Sequence, residues 1–590
     1  MKNSKFVVIL FSIFVYAMVL TPLQFANAFD NGTTQRRVSN YEELREKAFA
    51  EGHVKVIIEL NVPNIEKLTK ASRQFTGREL GKEAFLSRSK VDSLLAEAIN
   101  SVGNSVVDQL NGTDFRINHT YLTIPYLALD VSAEALSVLE SLPEVLHIVE
   151  DIPVKLNRYD GSEKRSLENP FTDNGPEPPN LNNTISVIGA DVAWGYGYTG
   201  SGWYVAILDT GIRPTHEMFA GKTIVEACFS LKSACPNGSN EMYGSGAAEH
   251  YYGYEEYDHG THVSGIAAGN SGTIFGVAKN ANIIAVQVFS PFTGSTDCGS
   301  SPTCVKSYPS DQLKGLEYVY SIRGSYSIAA VNMSLGGGQY SSWCDSDSRK
   351  AAIDNLLAVG IATVIASGND GYCWYINKPA CISSSVAVGA TTDADVETSF
   401  NNWDDTLLDF FAPGYQVYSA TGASDSSYGS KNGTSMAVPH ITGAWALLKQ
   451  YKASGTVPDL FGAINSTGQP VFTLCLGSYS PNYKPRVQVD SALESLGFTV
   501  LYVDPSSSCN GNTPCYSTIQ SAIDAVSSGS VIKILAGTYA ENLNLNSASN
   551  YTLQGGQNST YSSQTSTSSV SSMTFGSNSG TVTVGYMSIQ

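Results

Sequence analysis

Apolar and polar positions alternate along this chain in three distinct rhythms, one after another. Between about 53 and 156, Val54-Lys55-Val56-Ile57-Ile58-Glu59-Leu60 predicts a strand. Leu86, Val91, Leu94, Leu95, Ile99 and Val102 then fall at helical spacing in a long amphipathic stretch from about Lys82 to Leu110. Tyr121–Ile124 and Tyr126–Val131 read as strands separated by Pro125, and Ser132 reads as the serine cap of a helix. Val145–Val149 closes the unit as another strand, giving β-α-β-β-α-β, the split βαβ layout. From about 184 to 497 the rhythm changes to short unbroken apolar runs: Trp203–Leu208, Ile283–Val288, Ala329–Met333, Ala362–Ala366 and Ser385–Val388. Helical stretches such as Arg349–Val359 lie between them, which predicts a parallel sheet covered by helices on both faces.

The third rhythm occupies the last ninety residues. Thr518–Val526 reads as a short helix, followed by the β-rich pieces Val531–Leu535, Leu543–Leu545, Tyr551–Leu553, Val570–Phe575 and Thr581–Ile589. Only four residues of 501–590 are charged, and 18 of the 40 residues in 551–590 are Ser or Thr. A Ser/Thr-rich disordered tail is the alternative. The regular Val/Ile/Leu spacing favours a few rungs of a parallel β-solenoid capped by a helix.

The ends of the first unit carry addressing signals. Lys2 and Lys5, the apolar run Phe6–Leu20 and Ala26-Asn27-Ala28 have the three-part layout of a secretory signal with cleavage after Ala28. The run is short for an uncleaved membrane anchor, and no later segment is apolar enough to span. From Asn157 to Asn183 the chain is polar and rich in Pro, Asn and Glu, a linker of the kind where proteolytic nicking concentrates. The expected organisation is a signal peptide (1–28), an α+β unit (29–156), a processing linker (157–183), an α/β domain (184–497) and a β-solenoid-like segment (498–590).

Charge and cysteine content narrow the function. A net charge of −18 with no basic stripe argues against a nucleic-acid partner. Export places the ten cysteines in an oxidising setting. Cys228/Cys235, Cys298/Cys304, Cys373/Cys381 and Cys509/Cys515 are close in sequence, leaving Cys344 and Cys475 to join distant parts of one domain, although sequence cannot fix connectivity. Neither a CxxC pair nor HExxH occurs, which argues against zinc.

Three separated segments bring functional groups to the ends of the expected elements. Trp203–Leu208 runs into Asp209-Thr210-Gly211, at the strand end where open α/β sheets bind ligands. Asp258-His259-Gly260-Thr261-His262 opens a small-residue helix. Asn432-Gly433-Thr434-Ser435-Met436-Ala437-Val438-Pro439-His440 leads into the helical run Ile441–Gln450, with Pro439 expected in a first helical turn. A serine hydroxyl needs a base to take its proton, a histidine serves near neutral pH, and a carboxylate fixes that histidine's tautomer. In Ile365-Ala366-Ser367-Gly368-Asn369-Asp370, the amide of Asn369 is placed to donate to a developing oxyanion. His262 reads as a packed histidine rather than a second base; His216, His250 and His440 read as structural or exposed, and Asp258 as a solvated loop charge.

These segments, together with Phe411-Ala412-Pro413-Gly414, resemble the subtilisin-like serine proteases motif by motif over about 184–497, in the chain order Asp, His, Ser. The resemblance implies an α/β, doubly wound parallel sheet in which Asp209 orients, His259 is general base and acid, Ser435 is the nucleophile and Asn369 helps form the oxyanion hole. It implies that Ser334, Leu335 and Gly336 form a substrate-binding edge and that Ala366, Ser367 and Gly368 form the facing pocket wall. Those small residues, with no acidic group among them, suggest broad specificity for large apolar residues before the cut. No cofactor is required for catalysis. Ala268–Phe275 is too short for a calcium loop known in many subtilisins, as in the proteinase K and aqualysin branch, and structural calcium elsewhere is allowed by the family but not derivable.

The 53–156 unit resembles the family's inhibitory propeptide, which implies an intramolecular inhibitor removed by a cut between about Asn157 and Asn183; a permanent accessory domain is the alternative. The C-terminal stretches "STIQSAIDAV" and "ILAGTYAENLNL" resemble the opening of right-handed parallel β-helix proteins, with a face suited to glycans or a cell surface. The sequence therefore supports a secreted serine endopeptidase made as a zymogen, acting on proteins or peptides. The competing reading is a surface adhesion or glycan-binding protein whose peptidase domain only processes itself.

Overall fold

The computed structural model describes residues 41–74, 82–156, 181–254, 256–473, 475, 483–561, 563–576 and 580–590. The expected signal peptide and all but the last three residues of the expected linker lie outside them.

The N-terminal unit runs α1 (Tyr41–Glu51), β1 (Val54–Leu60), α2 (Ile65–Arg73), α3 (Lys82–Gln109), β2 (Phe115–Thr120), β3 (Tyr126–Val131), α4 (Ala133–Ser141) and β4 (Val145–Glu150). Its strands form an antiparallel sheet in the order β2-β3-β1-β4. Ser132 caps α4, its Oγ accepting from the Ala135 N–H at 3.2 Å. The expected βαββαβ order is present with α1 and α2 added. Tyr121–Ile124, however, is a turn, and the strand that pairs with β3 lies earlier, at Phe115–Thr120. The apolar side chains of that turn have another destination, described below.

A short β5 (Val154–Lys155) follows. The chain is next described from α5 (Leu181–Val187), which begins inside the stretch read as linker, and α6 (Ala190–Gly195). The central domain then unfolds as β6 (Tyr204–Asp209), β7 (Ile224–Phe229), β8 (Glu241–Tyr243), α7 (His259–Ala268), β9 (Asn282–Gln287), β10 (Ser290–Thr293), α8 (Ser295–Cys298), β11 (Thr303–Ser307) and α9 (Pro309–Ile322). It continues through β12 (Ile328–Met333), β13 (Gly337–Tyr340), α10 (Lys350–Ala358), β14 (Ala362–Ala366), β15 (Ile376–Lys378), β16 (Val386–Thr391) and β17 (Phe410–Pro413). The domain ends with β18 (Val417–Ala420), β19 (Tyr428–Lys431), α11 (Thr434–Tyr451), α12 (Val457–Thr467), β20 (Gln469–Phe472), β21 (Tyr483–Arg486) and α13 (Val489–Ser495).

The main sheet has ten strands in the order β20-β21-β17-β16-β14-β12-β6-β9-β7-β8. Its inner pairings are parallel and only the two outermost are antiparallel. Alternate residues of β6 face opposite cores: Val205 and Ile207 join the cluster with α7 and α11, while Ala206 and Leu208 join the one with α9 and α10. Strand order reverses at β6, since β9 and β7 extend to one side and β12, β14 and β16 to the other. A reversal of this kind opens a crevice at the carboxyl ends of the strands.

The C-terminal residues form β22 (Val500–Val503), β23 (Cys515–Tyr516), α14 (Ile519–Asp524), β24 (Ser530–Leu535), β25 (Gly537–Leu545), β26 (Tyr551–Gln557), β27 (Ser568–Phe575), β28 (Val582–Gly585) and β29 (Met587–Ile589). All neighbours are parallel, in two stacks, β23-β22-β24-β26-β28 and β25-β27-β29. The stacks sit on the central domain. Val500 and Val531 belong to its core, Tyr198 donates to Gly529 O at 2.9 Å, and Tyr198, Tyr451 and Phe498 meet edge to face.

Five disulfides form, and three join the expected close neighbours: Cys228–Cys235, Cys298–Cys304 and Cys509–Cys515. The expected Cys373/Cys381 pair does not form. Cys381 bonds Cys344 and Cys373 bonds Cys475. The extended strand β15 lies between Cys373 and Cys381 and carries them apart, so proximity in sequence misleads there.

Candidate active site

β6 delivers Asp209 to the crevice, and α7 starts directly over it with His259. His259 Nδ1 and Asp209 Oδ1 are 2.8 Å apart, with side chains almost wholly buried. The same Asp209 oxygen accepts from the Thr210 N–H at 2.7 Å, and the Thr210 hydroxyl accepts from the Gly260 N–H at 2.9 Å. A Cβ at Gly260 would stand 2.2 Å from Gly211 O, so only glycine lets the helix start this close to the strand end.

Ser435 is the second residue of α11, a helix buried along nearly its whole length. The sequence places Pro439 in a helix's first turn, leading into the helical run Ile441–Gln450; in the structure α11 begins at Thr434, so Pro439 falls inside it, beyond the first turn. A proline there has no N–H for the carbonyl four residues back. That carbonyl is Ser435 O, and Ser334 Oγ donates to it at 2.8 Å. Asn332 Nδ2 in turn donates to Ser334 Oγ at 2.9 Å. Ser435 Oγ donates to Ser334 O at 3.2 Å and shares one cavity with His259.

Asn369 is buried at the end of the β14 loop. Its Oδ1 accepts from both the N–H and the hydroxyl of Thr434, each at 2.8 Å. The amide nitrogen thereby faces Gly433: a point one bond out from Gly433 Cα lies 3.1 Å from Asn369 Nδ2 and 3.6 Å from the Ser435 N. Both nitrogens therefore lie close to the Gly433 Cα, which precedes Ser435 by two positions.

The pocket and edge residues divide into backbone and packing roles. Gly368 has φ +115°, and a Cβ there would stand 2.2 Å from Asn402 Nδ2. Ser367 Oγ donates to Asn401 Oδ1 at 3.3 Å. Ala366 and Leu335 are buried in the cores flanking the sheet, and a Cβ on Gly336 would meet Lys378 O at 3.0 Å. Ser334 thus braces the main chain at Ser435.

His262 and His440 are structural. His262 is fully buried with Nε2 on Gly429 O, and burial drives it down to about 3. His440 is held by Met436 O and Thr184 Oγ1, and burial lowers it to about 4. Asp258 is not a solvated charge. It is largely buried, accepts from Lys431 Nζ at 3.0 Å and from the Gly422 N–H at 3.2 Å, and although burial pushes it upward, Lys431 brings its carboxyl below the usual range.

The cleft is occupied by the chain itself. β5 pairs antiparallel with β11, Lys155 opposite Lys306 and Val154 opposite Ser307. On the other side a Cβ on Gly337 would stand 3.5 Å from the Val154 side chain. Leu156 then lines a cavity of about 390 Å³ with His259, Ser435 and Met436. Sequence reasoning missed β11; its one signal was the alternation Thr303-Cys304-Val305-Lys306-Ser307. The N-terminal sheet clamps this arrangement from above. Tyr121 and Ile124 are buried in the core shared with α9, and Glu317 accepts from the N–H groups of Leu122 and Thr123 at 2.6 and 2.7 Å.

Comparison with known proteins agrees with this geometry. The model described as subtilase family, peptidase S8, matches residues 200–498. An extracellular serine proteinase of Thermus sp. (strain Rt41A) is 33% identical over 50% of this chain and 61% of its own length. The chain thus spans about six tenths of that relative. An alkaline protease of Alkalihalobacillus alcalophilus is 30% identical over 64% of this chain and 83% of its own. A solved chain described as proteases from Pseudoalteromonas arctica PAMC 21717 is 25% identical, covers 54% of this chain and 99% of that one, and superposes with a TM-score of 0.43. With half of its residues matched by the family model and a relative followed over most of its length, the chain belongs to the subtilase family.

Proposed function

We propose that the protein is a secreted serine endopeptidase made as a zymogen. The observation that carries this reading is the cavity shared by Ser435 and His259, the latter held by Asp209 at 2.8 Å, ahead of Leu156. The Ser435 hydroxyl turns from Ser334 O toward His259 Nε2, gives up its proton there and attacks the substrate carbonyl. Asp209 holds the tautomer with Nδ1 protonated and stabilises the imidazolium. Asn369 Nδ2 and the Ser435 N–H receive the oxyanion, helped by the α11 N-terminus. His259 then protonates the leaving amine, and water repeats the sequence on the acyl-enzyme. A substrate strand enters between β11 and Gly337, as β5 does, by β-pairing. The small wall of Ala366, Ser367 and Gly368 suits large apolar residues before the cut.

Casein digestion by the purified mature protein tests this reading. Loss of digestion after treatment with a serine-directed phosphonate supports it; self-processing with no action on any added protein favours the adhesion reading. Asn369→Ala is expected to lower kcat by roughly 10²- to 10³-fold with little change in KM, because the lost donor acts on charge that develops only in the transition state.

The N-terminal unit is read as the inhibitory propeptide, removed by the chain's own site. β5 leads Leu156 to Ser435, so the bonds handed over are the first ones beyond Leu156. Mass spectrometry of the mature protein is expected to find its N-terminus within a few residues of Leu156, at the start of the 157–183 stretch; a start near Asn183 would contradict this. The two parallel stacks at the C-terminus are read as a short solenoid whose flat faces suit glycans or a cell surface. Export fits the extracellular relative and the finding that, among the described residues, no helix is long and apolar enough to cross a membrane.

A further inference from the structure

The three-stranded sheet β10-β11-β5 carries a charge that the hydrolytic mechanism does not use. Ser290, Lys306 and Lys155 stand opposite one another across it, so their side chains share one face. Phe292 and Cys304 follow on that face two residues along. Phe292 is buried among Leu231, Cys298, Cys304 and Tyr308, and two ammoniums gather on its ring: Lys232 Nζ lies 4.0 Å and Lys306 Nζ 4.8 Å from the centroid. Lys306 also meets Asp297 at 2.6 Å. Two lysines against one carboxylate leave a formal charge of +1. The charges acting on Lys232 are Asp297, Lys55 and Lys306. Of these, Lys55 belongs to the N-terminal unit, where it pairs with Asp130 at 3.6 Å, so it departs with that unit.

β5 stands where a substrate strand would pair, with Leu156 at the reacting groups, so a substrate presents the residue in Lys155's place to Lys306. Resting on the endopeptidase reading, we propose that Lys306 and Lys232, gathered on Phe292, make the entering side of the cleft favour substrates with an acidic side chain at that position, the second before the cut. A glutamate there meets an ammonium on the directly opposed residue within a net positive surround, whereas a lysine repeats the charge it faces. The chain's own segment carries Lys155 at this place, and its side chain is exposed while Asp297 turns to Lys306. Like charges directly opposite weaken a strand pair, which suits a segment that has to leave once it is cut.

The test uses the self-processed protein and three internally quenched peptides that copy residues 152–160, with Lys155 replaced by Glu, replaced by Ala, or kept. At low salt, kcat/KM is expected to fall in that order, with Glu over Lys by about three- to fivefold, and the ratio is expected to shrink at about 1 M salt. Lys232→Met removes one ammonium, so the Glu/Lys ratio moves toward one. Asp297→Asn leaves both ammoniums without their carboxylate, so the ratio rises, and this variant decides the matter if the first does not accumulate. In the full-length chain, Lys155→Glu is expected to slow the loss of the cleaved N-terminal unit on gel filtration. Equal rates for the three peptides, or a preference for Lys, overturn the selection while leaving the peptidase reading intact. Cleavage of none of them removes both.

Discussion

Replacing Ser435 with alanine is expected to reduce protein hydrolysis by roughly 10⁴- to 10⁶-fold and to leave the chain uncut between its N-terminal unit and central domain. The size of the effect follows from the geometry. Ser435 Oγ is the hydroxyl that shares the cavity with His259, itself held by Asp209, and alanine removes it without disturbing the backbone of α11. The Ser334 bond to the residue-435 carbonyl, which compensates for Pro439, uses the main chain and survives the change. The variant should therefore fold, carry the same disulfides and accumulate at full length. A denaturing gel and a casein assay check both halves. A Ser435→Ala protein that still matures by itself would remove the residue from its assigned role.

The second large effect concerns pH. His119, on β2, is fully buried where the N-terminal sheet meets the central domain, with Nε2 2.7 Å from Asp311 and Nδ1 3.3 Å from Glu241. Burial alone would lower its affinity for a proton, but hydrogen bonds to two carboxylates outweigh it and raise the imidazole from the ordinary 6.5 to about 9. Both ring nitrogens donate only when the ring is charged. Lys314, 3.9 Å from Glu241 and 3.3 Å from Glu317, is the nearby cation and sits with carboxylates of its own. Asp151, buried on Ser310 and raised by burial to about 6, adds to the same trend at lower pH.

The sign follows from linkage. A base whose pKa is raised in the docked state supports docking fully below its free value of 6.5 and loses that support as pH climbs through 9. An acid raised to about 6 takes up a proton on docking, so its contribution also tightens as pH falls. The cleaved N-terminal unit should hold at pH 6 and loosen by roughly a hundredfold near pH 10. Gel filtration of the processed protein at the two values reads this directly, and His119→Gln should flatten the dependence. Equal retention at pH 6 and pH 10 would show that the His119 proton does not govern the hold.

How much of this could be read in the sequence depended on whether the information was local. Asp209 and Asn369 were legible as candidates because each sits where an apolar run meets a small-residue turn, and His259 because it opens a small-residue helix; such junctions are written in adjacent letters. The doubly wound sheet was legible for the same reason: Ala362–Ala366 is observed with the limits expected, and the other expected strands of that sheet shift by one to three residues at an end. Pro439 was misplaced because a proline's local signal says "first turn", and only a serine a hundred positions away makes the interior site acceptable. Asp258 looked solvated because Lys431 is remote in sequence. Tyr121 and Ile124 were read as strand because an apolar pair looks alike whether it faces its own sheet or a neighbour's helices. Cys373 and Cys475, 102 positions apart, carry no local trace of each other at all.

The seam between the C-terminal stacks and the central domain has a consequence for how the gene can be trimmed. Tyr198, Tyr451 and Phe498 form one aromatic knot, and Gly529 lies so near Tyr451 that a Cβ there would stand 2.5 Å from its ring. A protein shortened at the domain boundary would present that knot, with Val500's former neighbours, to water as a sticky scar. Removing the appendage would thus call for repainting the exposed face with polar residues, because the two modules pack as one piece of masonry rather than as beads on a string.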